Sequence, residues 1–204
     1  MLEVDEDSRL GQEVLAGGQR FHAHGVPAEE IAAELYEQAC ARLPLAGFEQ
    51  YEISNFAQAG RRSRHNMKYW QRMPYMGFGL DAHSMLQLAA GAVRFANVDE
   101  LSAYMSVPGA LQVLPQQEPM ITHVNVAGAF EEAVFLGLRM IEGVDVSALK
   151  AAYPAEMVTA CEDSVRELTA EGLMDEVDGR WRLTLRGRLV SNDVFGRLLE
   201  EVGA

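Results

Sequence analysis

Between Arg61 and His83 the chain carries its densest set of side chains able to do chemistry. Arg61, Arg62, Arg64, Lys68 and Arg72 place five positive charges together with no acid between them. Guanidinium groups pair bidentately with carboxylates and phosphates, so this reversal of sign in an acidic chain suits an anionic ligand. Heme propionates, a nucleotide and an amino-acid carboxylate all meet that chemistry, and a solvated surface loop is the plain structural alternative. His65 lies inside the run and is followed by Tyr69 and Trp70. A neutral imidazole nitrogen can ligate heme iron, and flat rings beside it can cover a macrocycle. A lone histidine is also a common hydrogen-bonded structural residue. Farther on, Gly77-Phe78-Gly79 precedes His83, and the missing side chains allow close approach to the backbone. This Gly-x-Gly lacks the remaining glycine of a dinucleotide fingerprint and the long helix after it, so it marks a tight turn.

Other constellations carry less. Ser54, Ser63 and Ser84 lie near histidines, but none stands in a G-x-S-x-G elbow, and a hydrolase triad is set aside. His22 and His24 have the spacing of a metal pair on a strand but no companion ligands, and are read as solvated. Cys40 and Cys161 are too far apart for a zinc motif and too few for an iron-sulfur cluster. They fit a reducing, cytoplasmic setting. The opening MLEVDEDSRLGQEV has neither the basic flank nor the apolar stretch of a signal peptide. A formal charge of -13 over 204 residues argues against a general binder of nucleic acid or anionic membrane.

These residues need elements to position them. Residues 1–4 read as the end of a strand, and a helix follows near residues 11–15. Pro27 with Glu29 and Glu30 opens a helix whose Ile31, Leu35, Ala39 and Leu43 recur at steps of four, predicting an apolar face. Residues 48–53 alternate as a strand that delivers Ser54 and Asn55. Residues 76–80 read as a short strand entering the glycine turn, residues 92–95 as a strand and residues 98–106 as a helix. A Pro- and Gln-rich linker over residues 115–119 leads to a domain boundary near residues 120–128. The last third is more regular. Helices are expected over residues 130–140, 147–152 and 155–171, with Gly172 capping the third. Strands over residues 173–177 and 180–185 flank the Asp178-Gly179 hairpin signal, and a helix over residues 187–202 closes the chain. Three helices, a β-wing and a helix form a winged-helix arrangement. DNA binding by it is disfavoured, since residues 127–204 carry eight basic residues against fifteen acids.

YEISNFA, His65-Asn66-Met67-Lys68-Tyr69-Trp70, GFGLDAHS, EEAVFLGLRMIEGVD and LTLRGRLVSNDVF occur in this order. Together they resemble the C-terminal portion of HemW-type heme chaperones, which are similar to oxygen-independent coproporphyrinogen III oxidases. The H-N-x-x-Y-W string favours the chaperone branch. The resemblance covers essentially the whole chain and implies an α/β fold: the C-terminal part of a partial parallel radical S-adenosylmethionine barrel over residues 1–126, then a helical winged-helix-like domain over residues 127–204. It implies heme as ligand at His65, with Asn66, Tyr69 and Trp70 completing the signature and Arg61, Arg62 and Arg64 facing the propionates. Gly77, Gly79 and His83 would edge the S-adenosylmethionine pocket. Asp81 stands where the family commonly has glycine. The C-x-x-x-C-x-x-C motif that binds a [4Fe-4S] cluster in the family is absent from this sequence, as is the glycine-rich strand for the methionine part of S-adenosylmethionine.

The expected function is therefore that of a HemW-like chaperone segment that binds heme for transfer to respiratory membrane proteins, with no radical chemistry from this chain. One alternative is an oxygen-independent coproporphyrinogen III oxidase-like oxidoreductase of porphyrin biosynthesis. A second is a partner-binding winged-helix module. An unpaired sheet edge and apolar interior predict aggregation or a homodimer when the chain is expressed alone.

Overall fold

The computed structural model describes residues 7–88, 91–106 and 121–200. The expected strand over residues 1–4 and the linker over residues 115–119 lie outside the described residues. The chain divides into two compact units, Met1–Arg62 and Ser63–Ala204.

The first unit contains helix α1, Arg9–Leu15, a 3-10 segment, helix α2, Glu29–Arg42, and a hairpin of β1, Glu49–Glu52, with β2, Asn55–Ala57. Glu29 and Glu30 occupy the first turn of α2 and Arg42 its last, so charge opposes the helix dipole at both ends. Gln50 ties the hairpin to this helix: its Nε2 donates to Tyr36 Oη at 2.8 Å and to the Ile53 carbonyl at 2.9 Å. The strand expected over residues 48–53 forms as β1, a tight turn follows it, and Asn55 begins β2, a pairing strand that was not expected. The apolar face read at steps of four is present but not covered, since Ile31 is 52% and Leu35 54% exposed. Among the described residues the sheet of this unit is a two-stranded hairpin.

The second unit opens with α3, Arg64–Trp70, a helix the sequence pattern did not predict. A three-stranded antiparallel sheet follows in the order β3, His83–Leu88; β4, Gly91–Ala96; β5, Ile121–Val124. The strand expected over residues 76–80 does not form; that segment is irregular, and Tyr75 alone bridges to Met85. Helix α4, Leu101–Ser106, starts after the expected residue 98. Helix α5, Val126–Arg139, is capped by Asn125 and touches α3, β4 and β5 as well as the wing. Its Phe130, Val134 and Leu138, spaced four apart, are buried on one face.

Next come β6, Val144–Asp145; α6, Val146–Ala152; α7, Ala155–Ala170; β7, Met174–Val177; and β8, Arg180–Leu183. The sheet order is β6-β8-β7, so the expected two-stranded wing gains a third, two-residue strand. Asp178 and Gly179 both take positive φ, as the hairpin signal requires. The single closing helix expected from residue 187 is two, α8, Leu185–Leu189, and α9, Ser191–Glu200, broken at Val190. Thr184 caps α8 through its Oγ1, which accepts from Gly187 N. The core comprises Trp181, Leu168, Val158, Met174, Val194 and Leu198. The fold is α/β with open sheets. Every strand pairing among the described residues is antiparallel, so the parallel ladder expected of a barrel segment is not among them.

Candidate functional site

Ser63 starts α3 by accepting a hydrogen bond from Asn66 N at 3.2 Å. The cap sets the two turns that display the His65–Trp70 string. His65 and Tyr69, four apart, fall on one face, and their rings meet edge-on with centroids 5.0 Å apart. Tyr69 then meets Tyr75 edge-on at 4.7 Å. Trp70 turns the other way, with the Arg139 guanidinium of α5 4.5 Å from its ring centroid. His65 and Arg64 are exposed, while Asn66, Tyr69 and Trp70 are half-buried. The string thus splits into an outward imidazole and an inward indole.

The side chains of the basic run differ in burial. Arg61 and Arg62 end the first unit, both exposed, with Arg62 5.9 Å from the Tyr51 ring centroid. Arg64 opens α3 in the second unit. Arg72 is drawn inside: its side chain is 10% exposed, and its Nε donates to Glu132 Oε2 on α5 at 3.0 Å. Arg72 Nη1 donates to Tyr153 Oη at 3.1 Å, and Arg94 of β4 binds the other oxygen of Glu132. Beside this network burial pushes the Tyr75 phenol above its usual pKa, with the Arg94 charge opposing.

The glycine turn is held from within. A Cβ on Gly77 would lie 2.3 Å from the His83 carbonyl oxygen, so only glycine fits. Gly77 N donates to Ser84 Oγ at 2.9 Å, Gly79 N to Tyr104 Oη at 3.0 Å, and Asn97 Nδ2 to the Gly79 carbonyl at 2.8 Å. Ser84 and Asn97 are buried and hold the loop shape, whereas a Cβ on Gly79 would meet nothing within 4 Å. Asp81 has φ 53°, a left-handed conformation that glycine adopts freely and aspartate tolerates. Its carboxylate lies 3.9 Å from His83 Nε2, and both groups are largely exposed. This turn carries Gly77 and Gly79 and leads into His83, the first residue of β3. Sequence reasoning missed Asn97, which no local motif marks, and named Ser84 without its role of accepting from Gly77 N.

Residues 128–190, from the first turn of α5 through α8, match the family described as HemN C-terminal domain. Over 178 residues, covering 87% of this chain and 45% of the relative, the sequence is 34% identical to the heme chaperone HemW of Bacillus subtilis. The chain belongs to the HemN and HemW family, in its C-terminal portion. A second relative, the mitochondrial radical S-adenosyl methionine domain-containing protein 1 of Bos taurus, is 47% identical over 77 residues, 37% of this chain and 17% of that one. The solved structure of coproporphyrinogen III oxidase (HemN) from Escherichia coli, reported as a radical SAM enzyme, shares the fold at TM-score 0.56. That likeness covers 84% of this chain and 42% of the other at 16% identity. The chain spans about half the length of the curated relatives it matches.

The His65 imidazole on α3 is of a type that can ligate heme iron. Among the described residues the His65 ring has only the edge contact with Tyr69, so a nitrogen is accessible to iron. Exposed Met73, Met76 and Phe78 follow α3 and offer apolar surface in the same unit. The cysteines do not resemble a cluster site: Cys161 is buried in α7, and Cys40 Sγ donates to Gln50 Oε1 at 3.5 Å. Among the described residues no group of three His, Cys, Asp or Glu could hold a metal ion. No helix among them is long and apolar enough to cross a membrane.

Proposed function

We propose that this chain is the C-terminal part of a HemW-like heme chaperone and that His65 ligates the heme iron. The observation that carries the reading is the outward His65 imidazole on a capped helix, edge-on to Tyr69, within a chain similar to a heme chaperone over most of its length. A ligand held at an exposed histidine can be passed on, because a second protein can reach the same face of the macrocycle. Arg64 beside His65 is assigned to the propionates, with Arg61 and Arg62 shortly before it in the sequence. Asn66, Tyr69 and Trp70 shape the helix that presents the imidazole. Gly77, Gly79 and His83 are assigned to the edge of an S-adenosylmethionine pocket whose remaining walls, with the [4Fe-4S] cluster, belong to the rest of a full-length protein. In this reading residues 1–126 belong to the barrel portion and residues 127–204 form the winged-helix domain. The recipients are respiratory membrane proteins, the setting is cytoplasmic, and radical chemistry is not a task of these residues.

Hemin titration tests the assignment. The wild-type chain is expected to give a saturable Soret shift that His65→Ala removes while the far-ultraviolet circular dichroism stays unchanged. A titration unaffected by the substitution overturns His65 as ligand.

A further inference from the structure

A cleft of about 350 Å³ in the second unit runs between the end of α3 and the start of the winged-helix region. That volume lies at the small end of small-molecule sites. Met140, Val144 and Leu149 give it apolar wall, while Trp70, Arg72 and Tyr153 bring polar groups to it.

The donors there are unevenly used. Arg180, also at the cleft, has each of its three nitrogens engaged: it donates to the carbonyls of Glu142 and Gly143 and to Asp145 Oδ2. Arg72 spends Nε on Glu132 and Nη1 on Tyr153, whose own hydroxyl donates to the Ala129 carbonyl. Arg72 Nη2 and Trp70 Nε1 are buried and have no acceptor among the described residues. Buried donors are rarely left so, and here two residues lining one cavity each have one. Charge agrees. Arg72 and Arg94 share the single carboxylate of Glu132, whereas Arg180 is balanced by Asp145, leaving one positive charge in excess among these five groups.

We propose that this cleft binds a carboxylate carried on a small apolar body, the carboxylate accepting from Arg72 Nη2 and Trp70 Nε1 and the body resting on Met140, Val144 and Leu149. An excess of one charge matches a monoanion better than a phosphate dianion, and the apolar wall favours a carbon chain over an inorganic ion. The ligand is either a free monocarboxylate or a carboxylate arm of a tetrapyrrole. The site does not depend on iron ligation at His65.

The test follows the Trp70 indole N–H resonance of the intact chain by nitrogen-15 NMR, assigned with Trp70→Phe, which keeps a ring and removes the donor. Sodium hexanoate is expected to move the resonance saturably, hexanol is not, and Trp70→Phe, whose binding is followed by isothermal titration calorimetry beside the wild type, is expected to weaken hexanoate binding about tenfold, the worth of one charge-assisted hydrogen bond. His65→Ala should leave this titration unchanged, which separates it from the heme assignment. Mesoporphyrin IX and its dimethyl ester form the second arm: saturation by the diacid alone, with no response to hexanoate, assigns the carboxylate to a tetrapyrrole. No response to either acid, or an equal response to hexanol or the ester, overturns the proposal.

Discussion

Helices α2 and α7 are similar in length and differ in what they bury. Helix α2 buries none of its residues, although Ile31 and Leu35 form a stripe at steps of four. Helix α7 buries Val158, Cys161, Ser164, Val165 and Leu168 against β7 and α9. A periodic stripe is a request for a partner, and the winged-helix region contains its own partner within about forty residues. Among the described residues the sheet of the first unit is a two-stranded hairpin, and Ile31 and Leu35 stay about half exposed. Stability should therefore reside in the winged-helix region, while the α2 face should govern association.

The largest expected effect tests that contrast directly. Trp181 is 1% exposed at the centre of the wing, and Trp181→Ala should cost about 3–5 kcal/mol by urea unfolding. Leu35→Ala, on the exposed stripe, should stay within about 0.5 kcal/mol. Comparable losses would remove the contrast. The same stripe should make the isolated chain dimerise or aggregate, with Leu35→Asp reducing the light-scattering mass; a wild-type monomer at high concentration would count against it.

A smaller effect is expected at the glycine turn. Gly77→Ala drives a methyl group against the His83 carbonyl, and overpacking of this kind costs about 1–3 kcal/mol. Gly79→Ala has room for its methyl group but must hold φ 106°, so both substitutions should destabilise the turn for different reasons. Heating curves for the pair would separate steric crowding from backbone strain.

Titration gives the smallest effects. Glu171 is held below its usual pKa by hydrogen bonds from Arg197 and then by the charges of Arg197 and Arg186. Asp145 is lowered by its Ser147 hydrogen bond, then by the Ala148 backbone N–H. Both contributions are present above the ordinary carboxylate range and are lost as the pH falls through the lowered folded values. Arg197→Gln and Ser147→Ala should each flatten acid unfolding slightly. Tyr75 runs the other way: burial favours its protonated form, so its contribution is intact below about pH 10 and lost as the pH climbs toward the raised folded value. Tyr75→Phe should remove that alkaline slope, and an unchanged slope would place its origin elsewhere.

Much of the winged-helix region was legible from local signals. Asp178-Gly179 specified a hairpin because both residues accept positive φ, and helix α7 showed its period and its Gly172 stop. The α3 signature and the glycine turn were visible as motifs because their residue types are unusual together. Helix α3 itself was not, since a seven-residue segment with few aliphatics has no period to read; its Ser63 cap was the one signal present. Strands β3 and β6 were also missed, the first because its alternation is weak and the second because two residues carry no pattern.

What the sequence determined by itself was the set of local choices: where helices begin, where a hairpin turns, and which residues have unusual chemistry. Tertiary structure decided which of those residues act together. Arg72 belongs to a charged run in the sequence, yet its partners Glu132 and Tyr153 stand sixty and eighty-one residues away. Asn97 fixes a glycine loop eighteen residues before it. Conformational preference acts over a few residues and leaves a trace in the sequence, whereas an ion pair between distant segments forms only when the packing of α5 brings them together.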